Sequence, residues 1–147
     1  MKAVLNWKGG MAFSGMTESG HMVLLDAGSE SGGSDLGPRP PEVLLHAVAV
    51  CTGMDIVYVL NKMRLVIEEF FIEIEGIRAP EHPKRFTDIV ITYHIKGSVP
   101  EDKVVRAIKL SSDTYCTVVH SLNATIEYKY VLNEGPSKIV KISIFCL

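Results

Sequence analysis

Cys51 and Cys116 are the side chains best suited to chemistry. Each sits in an apolar segment expected to be helical, the first running from Glu42 to Cys51 and the second from Tyr115 to His120. The thiolate, not the thiol, is the nucleophile, and a nearby cation or helix N-terminus lowers the thiol pKa. A peroxide converts such a thiolate to a sulfenic acid, which a second thiol traps as a disulfide. That chemistry requires both sulfurs to meet at one pocket. Two other readings use the same atoms. Buried cysteines also act simply as small hydrophobes, and Cys146, in the strand-like run Ile142-Ser143-Ile144-Phe145-Cys146, is assigned that role. Alternatively, Cys116 and His120 share a helix face at i, i+4 and could join His46 and Cys51 around a tetrahedral zinc. No paired Cys-x-x-Cys supports this, and His46 and Cys51 at i, i+5 diverge around a helix. The expectation is therefore no metal and no cofactor.

Arg39 and Glu42 flank the start of the Cys51 helix. As catalytic groups, Arg39 would hold a thiolate while Glu42 fixed its guanidinium by a bidentate bond. As structural groups, Glu42 would offset the helix dipole and Arg39 would be solvated. The residues alone leave both readings open. His21, Asp26 and Asp55 join no constellation, and His82-Pro83 reads as a turn.

The elements that must position these groups follow from periodicity. Ala3 to Trp7, Met11 to Met16 and His21 to Asp26 read as short strands, with Gly9-Gly10 and Ser19-Gly20 as turns between them. A glycine-rich loop, residues 27–38, follows and is of a length at which loops are often functional. Pro41 to Met63 reads as a helix that is apolar around most of its circumference, and one small domain can hardly surround it. A subunit interface is expected to help. Phe70, Ile72, Ile74 and Gly76 form the core face of one long strand, and Ile89, Ile91, Tyr93 and Ile95 that of the next. Ser98-Val99-Pro100-Glu101 has the spacing of a capping box and opens a helix with Val104, Val105, Ile108 and Leu110 as its stripe. Asp113 is placed to cap a second short helix carrying Cys116. Asn123 to Val131 and Ile139 to Phe145 close the chain as a hairpin. The order β-β-β-α-β-β-α-α-β-β gives an α+β fold, one domain over residues 1–147, with an antiparallel sheet packed on the long helix.

Composition excludes some partners. With 147 residues, 47% of them hydrophobic, the chain can bury a core. Its net charge of −2 comes from interspersed acids and bases, so no basic stripe suits a nucleic acid. No apolar run is read as approaching the roughly 20 residues that span a bilayer, and the first ten residues lack a signal-like apolar stretch. The expected setting is the cytoplasm, with no nucleic-acid and no membrane partner.

Several motifs together resemble a known family: Pro40-x-Glu42 ahead of Cys51, Cys51-Thr52-Gly53-Met54-Asp55, Lys62-Met63, His82-Pro83-x-x-Phe86-Thr87, and Leu110-Ser111 ahead of Tyr115-Cys116. They resemble the OsmC/Ohr family of osmotically induced and organic-hydroperoxide-resistance proteins, in a branch with the Cys-Thr-Gly-Met-Asp motif, over nearly the whole chain. The resemblance implies an intertwined homodimer with the central helices buried between subunits. It also implies thiol-dependent reduction of small organic hydroperoxides, reset by a dithiol reductant. Carried over, Cys51 is the peroxidatic cysteine, Cys116 the resolving one, and Glu42 the carboxylate that steadies a catalytic arginine. The hydroperoxide-resistance branch draws that arginine from its N-terminal strands and sets its glutamate one residue further from the cysteine. This chain has no arginine before Arg39, so Arg39 is the candidate cation. The alternative is a protein of the same fold that binds or senses a small molecule without turnover.

Overall fold

The computed structural model describes residues 1–142. Cys146 and the end of the strand expected to run to Phe145 lie outside the described residues. The chain forms two compact units, one up to Leu44 and one from Leu45 onward.

In the first unit, β1 (Val4–Trp7), β2 (Phe13–Met16) and β3 (Met22–Leu25) make an antiparallel meander. Its turns use Gly9, Gly10 and Gly20 at positive φ, the conformation only glycine adopts without cost. Asp26 is buried at the end of β3 and organises the loop that follows. Its carboxylate accepts the backbone N–H groups of Ala27, Ser34 and Leu36 at 2.8, 3.0 and 3.1 Å. The Leu36 bond contributes most to holding this carboxyl below its usual range. A 3₁₀ turn at Ser29–Ser31 occupies the middle of the loop. Asp26, which joins no constellation in the sequence, is thus a loop anchor.

The long helix α1 runs from Pro40 to Lys62. Its start is closed by the Arg39 N–H donating to Glu42 Oε2 at 2.8 Å. By length and composition α1 could cross a membrane, which corrects the reading that no run approaches that length. A few polar residues interrupt the apolar ones without shortening the helix, and its apolarity has a place in the fold. Val48, Ile56, Val59 and Leu60 belong to the core. A Cβ on Gly53 would lie 2.6 Å from Ile72 Cδ1, so the missing side chain lets the helix approach the sheet closely. The other side of α1 is open: Val50, Met54 and Tyr58, four residues apart, are all about half exposed or more.

The sheet of the second unit has the order β4-β5-β6-β7, formed by Glu69–Arg78, Phe86–Lys96, Thr125–Leu132 and Lys138–Val140. The turn between β4 and β5 holds His82-Pro83, as expected. The expected alternation holds on β5, where Ile89, Ile91, Tyr93 and Ile95 are buried. β4–β5 and β6–β7 are antiparallel, but β5 and β6 are parallel, with Ile91 opposite Tyr128 and Tyr93 opposite Tyr130. The fully antiparallel expectation is corrected there. Between β5 and β6 the chain passes through helix α2 (Glu101–Leu110) and helix α3 (Thr117–His120), and such a crossover returns it to the end where it started.

The capping box at α2 does not form. Pro100 occupies the cap position and no side chain caps the helix, because Pro fits next to the first helical residue while its ring forces Val99 out of helical geometry. Glu101, left free of that role, accepts the Tyr130 hydroxyl and takes Lys138 Nζ at 2.7 Å, pinning the start of α2 to β6 and β7.

Candidate active site

Cys51 lies in the middle of α1 and is partly exposed, with Asp55 one turn further on the same face. Thr52, between them, is buried, but its hydroxyl turns back to the Val48 and Ala49 carbonyls at 3.1 and 3.0 Å. The helix thus leaves a thiol and a carboxylate to face the second element.

Cys116 arrives from the far end of α2. There the helix widens into a π-helical turn, Ser111–Tyr115, in which the Cys116 N–H reaches the Ser111 carbonyl at 2.9 Å. Such widened turns are frequent at functional sites. Cys116 then adopts extended backbone and caps α3 itself, its Sγ accepting the Val119 N–H at 3.4 Å. This corrects two expectations: Cys116 precedes the short helix rather than riding on it, and Asp113 is not its cap. Asp113 sits inside the π turn and accepts the Ser112 hydroxyl at 3.0 Å.

The two elements converge. Cys51 Sγ, Cys116 Sγ and a carboxylate oxygen of Asp55 all lie within 4.8 Å of one another. The Ser111 hydroxyl donates to Asp55 Oδ2 at 2.8 Å, joining the π turn to α1 directly beside the sulfurs. Both cysteines are free thiols. Cys116 is fully buried, and burial, reinforced by the Cys51 thiol beside it, pushes its pKa up to about 12 against the opposing pull of the Val119 N–H. The Tyr93 hydroxyl is buried as well and has no hydrogen-bond partner among the described residues. Burial holds that phenol far above its usual range, and the nearby Thr52 side chain offsets this only in part. The surroundings of the thiols are therefore dry on the Cys116 side and open on the Cys51 side.

Of the residues expected at the site, the structure brings Cys51 and Cys116 together. Arg39 and Glu42 are paired within the first unit. The Arg39 guanidinium divides between two carboxylates, Asp35 at 3.3 Å and Glu42 at 3.7 Å, instead of gripping Glu42 with both arms. His46 and His120 are not members of the ligand-bearing cluster. Asp55 and Ser111 are the residues sequence reasoning missed. Both stand in the motifs that carry the family resemblance, and the spacing of Cys51 and Asp55 at i, i+4 could have signalled a shared helix face, but the sequence alone assigns neither a role at the site.

Residues 32–131 match the family model for OsmC-like proteins. Protein YhfA of Escherichia coli strain K12 is 32% identical over 136 residues, which is 89% of this chain and 98% of YhfA. The crystal structure of a hypothetical protein from Aquifex aeolicus VF5 superposes with a TM-score of 0.74 at 28% identity, covering 89% of this chain and 96% of that one. An organic hydroperoxide resistance protein from Legionella pneumophila shares the fold with a TM-score of 0.64 at 17% identity, over 90% of this chain and 96% of its own. With a model match over most of its length and a relative aligned nearly end to end, this chain belongs to the OsmC-like family.

Proposed function

We propose that the protein is a thiol-dependent reductase of small organic hydroperoxides. The observation that carries this reading is the approach of two free thiols of unequal access: Cys51, partly exposed, and Cys116, fully buried. In the first step the Cys51 sulfur attacks the terminal peroxide oxygen and the O–O bond breaks. An alcohol leaves after taking a proton, and sulfur, now a sulfenic acid, has lost the two electrons that the peroxide gained. In the second step Cys116 sulfur attacks Cys51 sulfur, the S–O bond breaks, and the hydroxyl departs as water with the Cys116 proton. Asp55, close to both sulfurs, is placed to accept and return these protons. A dithiol reductant then reopens the disulfide by exchange. The reducing cytoplasm is the compartment where such a transient disulfide makes sense.

Thiolate activation rests on Arg39 in this reading, the first arginine in the chain standing in for the one that relatives draw from their N-terminal strands, with Glu42 steadying it as the family resemblance implies. Cys51 lies too far along α1 for the helix dipole to help, since that influence fades within the first turn. A second reading, a binding or sensing protein without turnover, is favoured by one observation: the Arg39 guanidinium is already shared between Asp35 and Glu42. We also read the functional unit as an intertwined homodimer. The Val50, Met54 and Tyr58 face of α1 is exposed in a single chain and is continuous with the helix that carries Cys51.

Three outcomes follow. With iodoacetamide at neutral pH, Cys51 should be alkylated well before Cys116, because Cys116 is fully buried and burial holds its thiol protonated; faster labelling of Cys116 would reverse the assigned roles. Cys51→Ser should lower hydroperoxide consumption with excess dithiothreitol by at least about a thousandfold, whereas Cys116→Ser should complete one turnover and leave a trappable sulfenic acid on Cys51. Full activity in Cys51→Ser would favour the binding protein. In urea, the unfolding midpoint should rise with protein concentration, and a midpoint independent of concentration would contradict the dimer.

A further inference from the structure

The cluster of Cys51, Asp55 and Cys116 offers two sulfurs and a carboxylate oxygen, a donor set that also suits a metal ion. We propose that, in the reduced protein, these three side chains form a site for one thiophilic divalent cation of the zinc class. Two sulfurs and one carboxylate oxygen already lie within 4.8 Å of one another. Zinc bonds of about 2.3 Å to sulfur put two tetrahedrally arranged sulfurs about 3.8 Å apart. The sulfur pair therefore needs to close by no more than about an ångström and the sulfur–oxygen pairs by little more, within the reach of side-chain rotation about the Cα–Cβ bonds. Two ligands come from one helix face at i, i+4 and the third from a separate element, so chelation would clip α1 to the turn after α2.

The surroundings are those of a ligand set and not of three groups that merely happen to be close. Ser111, itself almost wholly buried, donates to Asp55 Oδ2 at 2.8 Å and fixes the carboxylate's orientation. The Val119 N–H donates to Cys116 Sγ at 3.4 Å, a bond that favours the thiolate a metal needs. Such outer bonds to metal ligands set their orientation and basicity. Three protein ligands leave a fourth position for water, and the partial exposure of Cys51 gives the ion a way in. Two thiolates and a carboxylate against a divalent cation leave a net charge of −1, where the same three groups ionised without it would carry −3.

Binding is not a redox step. The cation forms bonds to both sulfurs, and the two thiol protons go to solvent. The disulfide has no thiolate to offer, so metal binding and oxidation of this site exclude each other. Where the peroxidase reading holds, and this consequence rests on it, the bound ion shields Cys51 and silences turnover.

The test uses the full-length reduced protein, freed of metal and of small thiols under anaerobic conditions. Zinc is titrated in against a chromophoric chelator, and cobalt(II) is used separately for the sulfur-to-metal charge-transfer band. The expected result is one ion per chain, with the charge-transfer band present. Asp55→Asn should weaken binding by at least about tenfold and Ser111→Ala by about tenfold, with circular dichroism confirming that each variant is folded, and Asp55→Glu should recover part of the loss. Peroxide-oxidised protein should not bind. Absence of stoichiometric binding, or affinity unchanged in Asp55→Asn, would overturn the site. Turnover of the metal-free protein is measured in parallel: zinc binding without any turnover would uphold the site and sink the peroxidase reading, while turnover without zinc binding would do the opposite.

Discussion

The bond from the Ser111 hydroxyl to the Asp55 carboxylate is the constraint on which the site depends. It is short, at 2.8 Å, and Ser111 is buried. A hydrogen bond to a charged acceptor contributes roughly 1.5–3 kcal/mol, and leaving a buried hydroxyl unpaired would cost about as much. The bond joins two elements that are distant in sequence and that carry one cysteine each. The π turn that begins at Ser111 then delivers Cys116 to Cys51 with its sulfur already capped by the Val119 N–H. A regular continuation of α2 would carry the Cys116 side chain round to a different direction, so the widened turn and the Ser111 bond act as one positioning device.

The two sulfurs are chemically alike and differ by surroundings. Cys116 sits among the core side chains, where burial disfavours the thiolate. Cys51 is on a helix whose far face is open. The two sulfurs thus differ in access and in how strongly burial weighs against the thiolate, which is the asymmetry the proposed two-step reduction draws on. The same arrangement explains why Asp55 belongs to the site: a carboxylate beside two thiols opposes two simultaneous thiolates, and a proton acceptor or a cation relieves that opposition.

Much of this architecture was legible in the residues. Alternation marked β5 and β4 because one face of each strand meets the core, and Gly9-Gly10 and Ser19-Gly20 marked the turns of the first sheet because glycine takes positive φ readily. The helix carrying Cys51 was visible from its apolar run, and the family resemblance named both thiols. What stayed hidden was long-range. The direction of β6 relative to β5 is set by the crossover and leaves no trace in alternation. Pro100 displaced a capping box that spacing alone supported. Cys116 took the capping role assigned to Asp113 because the π turn shifted the start of α3. Asp55 joined no constellation in the sequence because its partner Ser111 is distant along the chain, and only the folded contact brings the two together.

The most direct measurement of the central claim is the identity of the oxidised product. Full-length protein treated with a stoichiometric organic hydroperoxide, alkylated and digested, should show by mass spectrometry the loss of two hydrogens and a cross-linked peptide pair containing Cys51 and Cys116. A product in which Cys116 remains an alkylatable thiol, with Cys51 driven to sulfinic acid or the adduct confined to Cys146, would contradict it.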